Sequence, residues 1–249
     1  MSKGAYIFMR PDDFSDFTYS KKSHFELFDR NDYDLELFKA KFDPSRHPVK
    51  RYQDLLVFSF IKQVIPPGSR ILDIGGGNSR ILRYFKDGYE GWNIDKLEGC
   101  GHGPLKIDTS AFRFVQDYIG NFNTDLPDDY FEFVFSISAL EHVPQDDPAL
   151  FQRILEDINR VIKPGGFSLH CFDIVIRENK VWSNDLLTTI FRKTKTLNAF
   201  IPFEHILNDP DIFVLSRKVY NKNWLPRTHK TYEEFGKPLS YNVLWKKEV

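Results

Sequence analysis

The sequence predicts a doubly wound α/β fold, a mostly parallel seven-stranded sheet with helices on both faces. Two observations carry this. Short apolar runs rich in β-branched and aromatic residues alternate with segments of helical periodicity. The first of those runs feeds through a glycine-rich turn directly into a helix. At 249 residues the chain is long enough to bury a sizeable core.

Along the chain, Leu55, Leu56, Phe58, Phe60, Ile61 and Val64 predict an amphipathic helix over 51–65, stopped by Pro66-Pro67-Gly68. Arg70–Ile74 reads as the first strand, and a helix from near Asn78 runs through Arg80–Phe85. Strands follow at Glu90–Ile94, Phe112–Gln116 and Phe131–Ile137. Phe151, Ile154, Leu155, Ile158, Val161 and Ile162 mark a helix over 150–162, and Lys163-Pro164-Gly165-Gly166 is expected to end it in a turn. Phe167–Phe172 is the fifth strand, and Ile212–Val219 and Tyr241–Lys247 are expected to be the last two. Residues 1–48 read as an N-terminal arm or cap, and residues 49–249 as the main domain. An excursion at about 174–235 is too long for a plain connector and so invites a role in substrate binding.

Composition narrows the class. An apolar fraction of 41% and a charged fraction of 28% are ordinary for a globular protein, while 24 Phe predict aromatic packing or an aromatic-lined pocket. No apolar run has the length of a membrane span, and no basic-then-apolar leader opens the chain, so no membrane partner and a cytoplasmic location are expected. Cys100 and Cys171 lie in no metal or redox spacing and read as reduced thiols. Net charge is −1, yet residues 174–249 hold 13 Lys/Arg against 8 Asp/Glu, a local +5 that either attracts an anionic substrate or is a solvated surface. No nucleic-acid partner is expected, since such domains are more strongly basic.

The chemistry concentrates at Asp73-Ile74-Gly75-Gly76-Gly77-Asn78. Glycines there allow torsions closed to other residues and let a ligand approach the backbone. A dinucleotide fingerprint starting at Gly75 needs a small residue at position 80, which is Arg80, and no Gly-Lys-Ser/Thr follows for a P-loop. Asp73, just ahead of the turn, suits a cationic amino-acid ligand better than a pyrophosphate.

These residues resemble the first motif of the class I S-adenosylmethionine-dependent methyltransferases, an acidic residue and Gly-x-Gly-x-Gly, with Ser79 at the third glycine. Three further regions continue the resemblance in order over roughly residues 50–175. Asp95 stands 20 residues after Gly75, where the family chelates both ribose hydroxyls. Phe114-Val115-Gln116-Asp117-Tyr118 falls where the family meets the adenine. Leu126–Val134, Ser136–Val143 and Asn159–Gly166 follow the fourth strand, its loop and the turn before the fifth strand. The resemblance implies a Rossmann-like methyltransferase fold, S-adenosyl-L-methionine as cofactor and S-adenosyl-L-homocysteine as product. It implies cofactor binding by Asp73, Gly75, Gly76, Gly77, Asn78, Asp95, Asp117, Tyr118 and Ser138.

It also implies in-line transfer of a methyl group from a sulfonium, for which the protein mainly aligns reactants and excludes water. A hydroxyl acceptor benefits from a general base, and the candidates are His142 after the fourth strand, Asp173 after the fifth, and His205 in the excursion. His170, inside the fifth strand, reads as a packed histidine. No His pair has metal-ligand spacing, and no metal is expected. Trp182, Phe191, Phe200, Phe203, Trp224 and Tyr232 either line an apolar pocket or form the buried side of the excursion, and Arg177, Arg192, Lys193 and Lys195 offer charge for an anion. The expected acceptor is a small molecule with an oxygen or nitrogen nucleophile, sugar-like or an anionic intermediate. A non-catalytic cofactor-binding module and a protein or RNA methyltransferase remain as alternatives.

Overall fold

A computed structural model describes residues 9–31, 43, 45–99 and 103–249, with only the backbone of 29–31. Cys100 and His102 lie outside the described residues. The sheet has seven strands: β1 (Arg70–Ile74), β2 (Glu90–Ile94), β3 (Arg113–Val115), β4 (Phe131–Ile137), β5 (Ile162–Arg177), β6 (Lys180–Trp182) and β7 (Lys237–Lys246). Their order is β3-β2-β1-β4-β5-β6, with β7 paired to β5. β1 pairs in parallel with β2 and β4, β2 with β3, and β4 with β5, whereas β6 returns antiparallel along β5. The chain therefore builds outward from β1 on one side and then restarts on the other. The switch point falls between β1 and β4, where open α/β sheets leave a crevice at the carboxyl ends of their strands.

The expected strand over Ile212–Val219 is absent. Ile212 forms only an isolated bridge to Lys21, and Ser216 accepts the N–H of Val219 to start a helix at Arg217. The sixth strand is Lys180–Trp182, folded back on β5 through Glu178 and Asn179, both left-handed at φ 52° and 55°. Two consecutive left-handed residues make the tight hairpin turn whose twist suits flanking strands. Lys163–Gly166 does not simply end a helix either. β5 begins at Ile162 opposite Phe131, and the register slips before Phe133 meets Phe167, so Lys163–Gly166 bulges within the strand.

Helices take the sequence signals more directly. α1 is His24–Asn31, α2 Val49–Val64, α3 Arg80–Phe85 and α4 Pro148–Val161. Ser79 caps α3 through its side chain, and Asp147 caps α4 by accepting the N–H of Leu150 at 2.9 Å. In the excursion lie α5 (Asp185–Lys193), α6 (Phe203–Leu207), α7 (Arg217–Asn223), α8 (Leu225–Thr228) and α9 (Tyr232–Phe235). No helix of the described residues is long and apolar enough to cross a membrane.

The chain forms two compact units. One comprises residues 1–64, 172–183 and 198–242; the other comprises 65–171, 184–197 and 243–249. In the first, Phe14, Phe17, Phe25, Phe28, Tyr52, Phe60 and Phe213 interlock through edge-to-face and stacked contacts with centroids 4.8–6.2 Å apart. A second cluster there joins Val49, Leu215, Val219 and Tyr220 to Trp224, Tyr232 and Phe235. The abundant Phe is thus largely spent on packing, with geometries that favour the ring quadrupole. In the second unit the core is the sheet interior, including Ile71, Leu72, Phe131, Phe133, Val134, Phe135 and Ile158, all fully buried. His170 lies inside it between the hydroxyls of Ser136 and Ser168, at 2.8 and 2.7 Å, a packed and fully bonded histidine.

Candidate cofactor and methyl-transfer site

The site grows from the end of β1. Gly75 and Gly77 adopt φ of 68° and 51°, torsions that favour glycine. A Cβ on Gly75 would sit 2.6 Å from that of Ala139, in the loop after β4. One on Gly76 would run into the Asp73 carboxylate and lie 3.0 Å from Asn93 Oδ1. The turn must be bare backbone at both places, and Gly75 is also exposed.

β2 holds this turn in place. Gly75 N–H donates to Ile94 O (2.8 Å), Gly76 N–H to Asn93 Oδ1 (3.2 Å) and Gly77 N–H to Asp95 Oδ2 (2.9 Å). Asn93 Nδ2 donates back to Gly77 O at 2.8 Å. Asp95 Oδ1 accepts the N–H of Leu97 at 2.7 Å, so both carboxylate oxygens are oriented by backbone donors while lone pairs remain for further partners. Asn93 has no role in the sequence reading. Its signal was a polar residue inside an apolar strand, where a buried amide must find partners.

Asn78 is exposed and its Oδ1 accepts the N–H of Asp108 at 3.3 Å. Arg83 reaches the same Asp108 carboxylate at 3.0 Å. The Ser110 backbone and hydroxyl, with Arg83, hold Asp108 down to about 2. Pro104 packs on Gly77, where an added Cβ would lie 2.9 Å from Pro104 Cδ.

Asp117 accepts the N–H of Tyr118 (2.8 Å) and the amides of Asn121 (2.7 Å) and Asn123 (2.9 Å). Burial pushes its carboxyl up, but these donors together outweigh it and hold Asp117 below the usual carboxylate range. Tyr118 is exposed, its hydroxyl bonded to Glu98 and Lys96 standing over its ring at 5.9 Å. Asp157, fully buried on α4, supports this loop by accepting the N–H of Gly120 (2.7 Å) and of Phe122 (3.1 Å).

Ser138 closes β4 at φ 49°, its N–H bonded to Cys171 O at 3.0 Å. A non-glycine residue held left-handed at a strand end is a common mark of a working loop. The single turn Leu140–His142 follows, with His142 exposed. The structure thus joins Asp73, Gly75, Gly76, Gly77, Asn78, Asp95, Ser138 and His142 into one region at the carboxyl ends of β1, β2 and β4, with Asp117 and Tyr118 tied to it through Glu98 and Lys96. Asp173 and His205 belong to the other unit. There Gln53 Nε2 donates to Asp173 Oδ1 at 2.8 Å, and His205 stands exposed on α6. Of the aromatic residues of the excursion, Trp182 and Phe200 are exposed and Phe191, Phe203, Trp224 and Tyr232 half-buried. Among the described residues no group of three His, Cys, Asp or Glu is arranged to hold a metal ion.

A family model described as a methyltransferase domain matches residues 45–173, which include the glycine turn, Asp95, Asp117 and the loop after β4. The chain belongs to this methyltransferase family. Its seven-stranded, mostly parallel sheet is the Rossmann-like fold of that family, whose class I members draw the methyl group from S-adenosylmethionine. A curated relative, a sterol 24-C-methyltransferase of Yarrowia lipolytica, is 28% identical over 160 residues, which cover 62% of this methyltransferase chain and 37% of the relative. This methyltransferase therefore spans little more than a third of that relative's length. Solved structures similar to it include a sarcosine dimethylglycine methyltransferase from Galdieria sulphuraria (13% identity, TM-score 0.46, 74% of this chain and 79% of that one). Another is an Archaeoglobus fulgidus methyltransferase (17% identity, TM-score 0.45, 80% and 94%).

Proposed function

We propose that this methyltransferase moves the methyl group of S-adenosylmethionine to a small-molecule acceptor and releases S-adenosylhomocysteine. The observation that carries the donor assignment is the bare glycine turn between two carboxylates, Asp73 buried beneath Gly76 and Asp95 bonded beneath Gly77. That donor set fits the group. Asp73 offers negative charge to an α-ammonium, Asp95 offers lone pairs to a ribose diol, and the exposed Gly75 backbone admits the chain between them.

The donor supplies an activated sulfonium methyl when bound. The chain's own residues then orient and exclude water. In this reading Asn78 and Ser138 border the amino-acid and ribose portions, and Asp117 and Tyr118 the adenine, with an exposed ring available for stacking. His142 is the proposed general base for a hydroxyl or amine acceptor. It follows β4 by five residues and is exposed, and an imidazole is the side chain suited to taking a proton at neutral pH. Asp173 and His205 are proposed acceptor-side residues, Asp173 with one oxygen already fixed by Gln53. A small-molecule acceptor is supported by the sterol relative, whose name states a small lipid substrate.

Calorimetry with S-adenosylmethionine and with S-adenosylhomocysteine tests the donor, and binding of both is expected. No heat and no thermal shift with either would remove the donor assignment. Radiolabelled methyl donor offered to metabolites, peptides and RNA tests the acceptor. Label is expected on small molecules. Label on macromolecules alone would overturn that choice, and tight donor binding without any transfer would make the chain a binding module.

A further inference from the structure

The loop carrying His142 is held by a residue 42 positions further on. Asn184 precedes α5 and is almost entirely buried. Its Oδ1 accepts the N–H of Leu186 at 2.8 Å, an ordinary helix cap. Its Nδ2 donates to two carbonyls in the loop after β4, Glu141 O at 3.1 Å and Val143 O at 2.8 Å. These carbonyls lie immediately before and after His142. One amide thus holds the carbonyls of both residues next to the proposed base, in the peptide units 141–142 and 143–144, and its orientation is set by chemistry, since only the NH2 end can face two carbonyls.

We infer that Asn184 is a positioning residue for methyl transfer, setting the backbone from which the His142 imidazole and the loop beside Gly75 face the reactants. This rests on the methyltransferase reading of the site. The cap alone does not explain the side chain, because Asp, Ser and Asn cap comparably well. Only an amide caps the helix and donates twice at the same time. Within the loop, His142 N–H donates to Ala139 O at 3.2 Å and Val143 N–H to Leu140 O at 3.4 Å, a single turn. Ala139, at its start, is the residue that packs over Gly75. A shift of the loop therefore reaches both the base and the donor turn, and a misplacement of about 1 Å can cost roughly a hundredfold in rate.

The test compares wild type with Asn184→Ser and Asn184→Asp, both of which keep a capping oxygen and lose the NH2 that donates twice. Melting temperature, affinity for S-adenosylhomocysteine and amide hydrogen exchange across 139–143 are measured on each. Label transfer from S-adenosylmethionine to a small-molecule extract is measured as a rate. Asn184→Ser is expected to melt somewhat below wild type and Asn184→Asp lower still, both folded and with α5 protected, while exchange at 139–143 rises about tenfold or more. Transfer is expected to fall by about tenfold to a hundredfold through kcat, with Asn184→Asp the worse because its carboxylate faces two carbonyl oxygens. Unchanged exchange and rate in both variants would reduce Asn184 to a helix cap and overturn the inference. So would a loss of protection spread evenly over the whole unit. Failure of wild type to bind S-adenosylhomocysteine would instead show that the methyltransferase reading itself is wrong, and the inference would fall with it.

Discussion

At the scale of single residues the donor turn makes sharp demands. Asp95 orients Gly77 and Leu97 through their N–H groups, so in the proposed complex its two oxygens would serve the turn and the ribose together. Asp95→Asn keeps the shape but places an NH2 where one of those donors, or a ribose hydroxyl, needs an acceptor. Charge-assisted hydrogen bonds contribute about 1.5–3 kcal/mol each, so affinity for S-adenosylhomocysteine should fall at least about tenfold in a calorimetric titration. Unaltered affinity would deny Asp95 its ribose role. Gly76→Ala should also lose affinity, because its methyl group collides with the Asp73 carboxylate. The carboxylate must turn away, and a circular-dichroism melt within a few degrees of wild type would place the effect on the ligand and not on the fold. The place of Asp73 and Asp95 beside the glycine turn was legible in the sequence, because residue type and spacing coincide with a strand end and that turn. Asn93 and Asn184 were not: each works through its amide across a contact that no local pattern encodes, 16 residues away for Asn93 and 41–43 for Asn184.

At the scale of elements, strands and helices with strong periodicity could be read to within a residue or two, as β1, β2, β4 and α2 show. The errors fell where tertiary pairing overrides local preference. Ile212–Val219 is apolar enough for a strand, but Ser216 offers a cap and Tyr220 is drawn into an aromatic cluster, so a helix forms. Lys163–Gly166 carries every sign of a turn, and the partner strand β4 makes it a bulge instead. The loop between β3 and β4 shows how one helix dictates a neighbour's shape. Asp157 on α4 accepts two loop N–H groups and the Arg160 guanidinium, while Arg160 continues to Leu126 O at 2.7 Å and Asn123 O at 3.2 Å. Asp157→Ala would strand one buried and one part-buried donor and a half-buried cation. A loss of about 3–5 kcal/mol in denaturant unfolding is expected, the scale of a broken buried pair. A loss under about 1 kcal/mol would mean that water or Asp128 replaces the carboxylate with little penalty.

At the scale of the whole molecule, among the described residues each compact unit buries a histidine whose burial resists protonation, and both contribute to the response to acid. His170 is pushed down to about 3 by burial alone, among Ser136, Ser168 and Trp245. His24 is likewise lowered to about 3, by burial first and Lys21 second, against the opposing pull of Asp211 and Asp209, and its ring bonds Tyr52. Half-buried His47 shifts in the same direction, again chiefly by burial. An unfolded histidine takes up a proton below about pH 6.5, whereas folded His24 and His170 stay neutral down to about pH 3. Their contribution is therefore complete above about pH 6.5 and is lost progressively as pH falls toward 3, at about 1.4 kcal/mol per pH unit for each group. Glu132 acts in a separate window. Burial raises its carboxyl, but Arg70 and Lys163 outweigh this and bring it to about 2, so its contribution is lost only below about pH 4.5. Between pH 6.5 and 4.5 the histidines dominate among these groups. His170→Asn should melt lower than wild type at pH 7, because it leaves a cavity and imperfectly met hydroxyls. That penalty does not depend on pH, whereas wild type alone carries the proton-linked loss at this site. The gap in melting temperature should accordingly narrow between pH 7 and pH 5, and a gap that stays constant or widens would show that His170 is protonated in the fold.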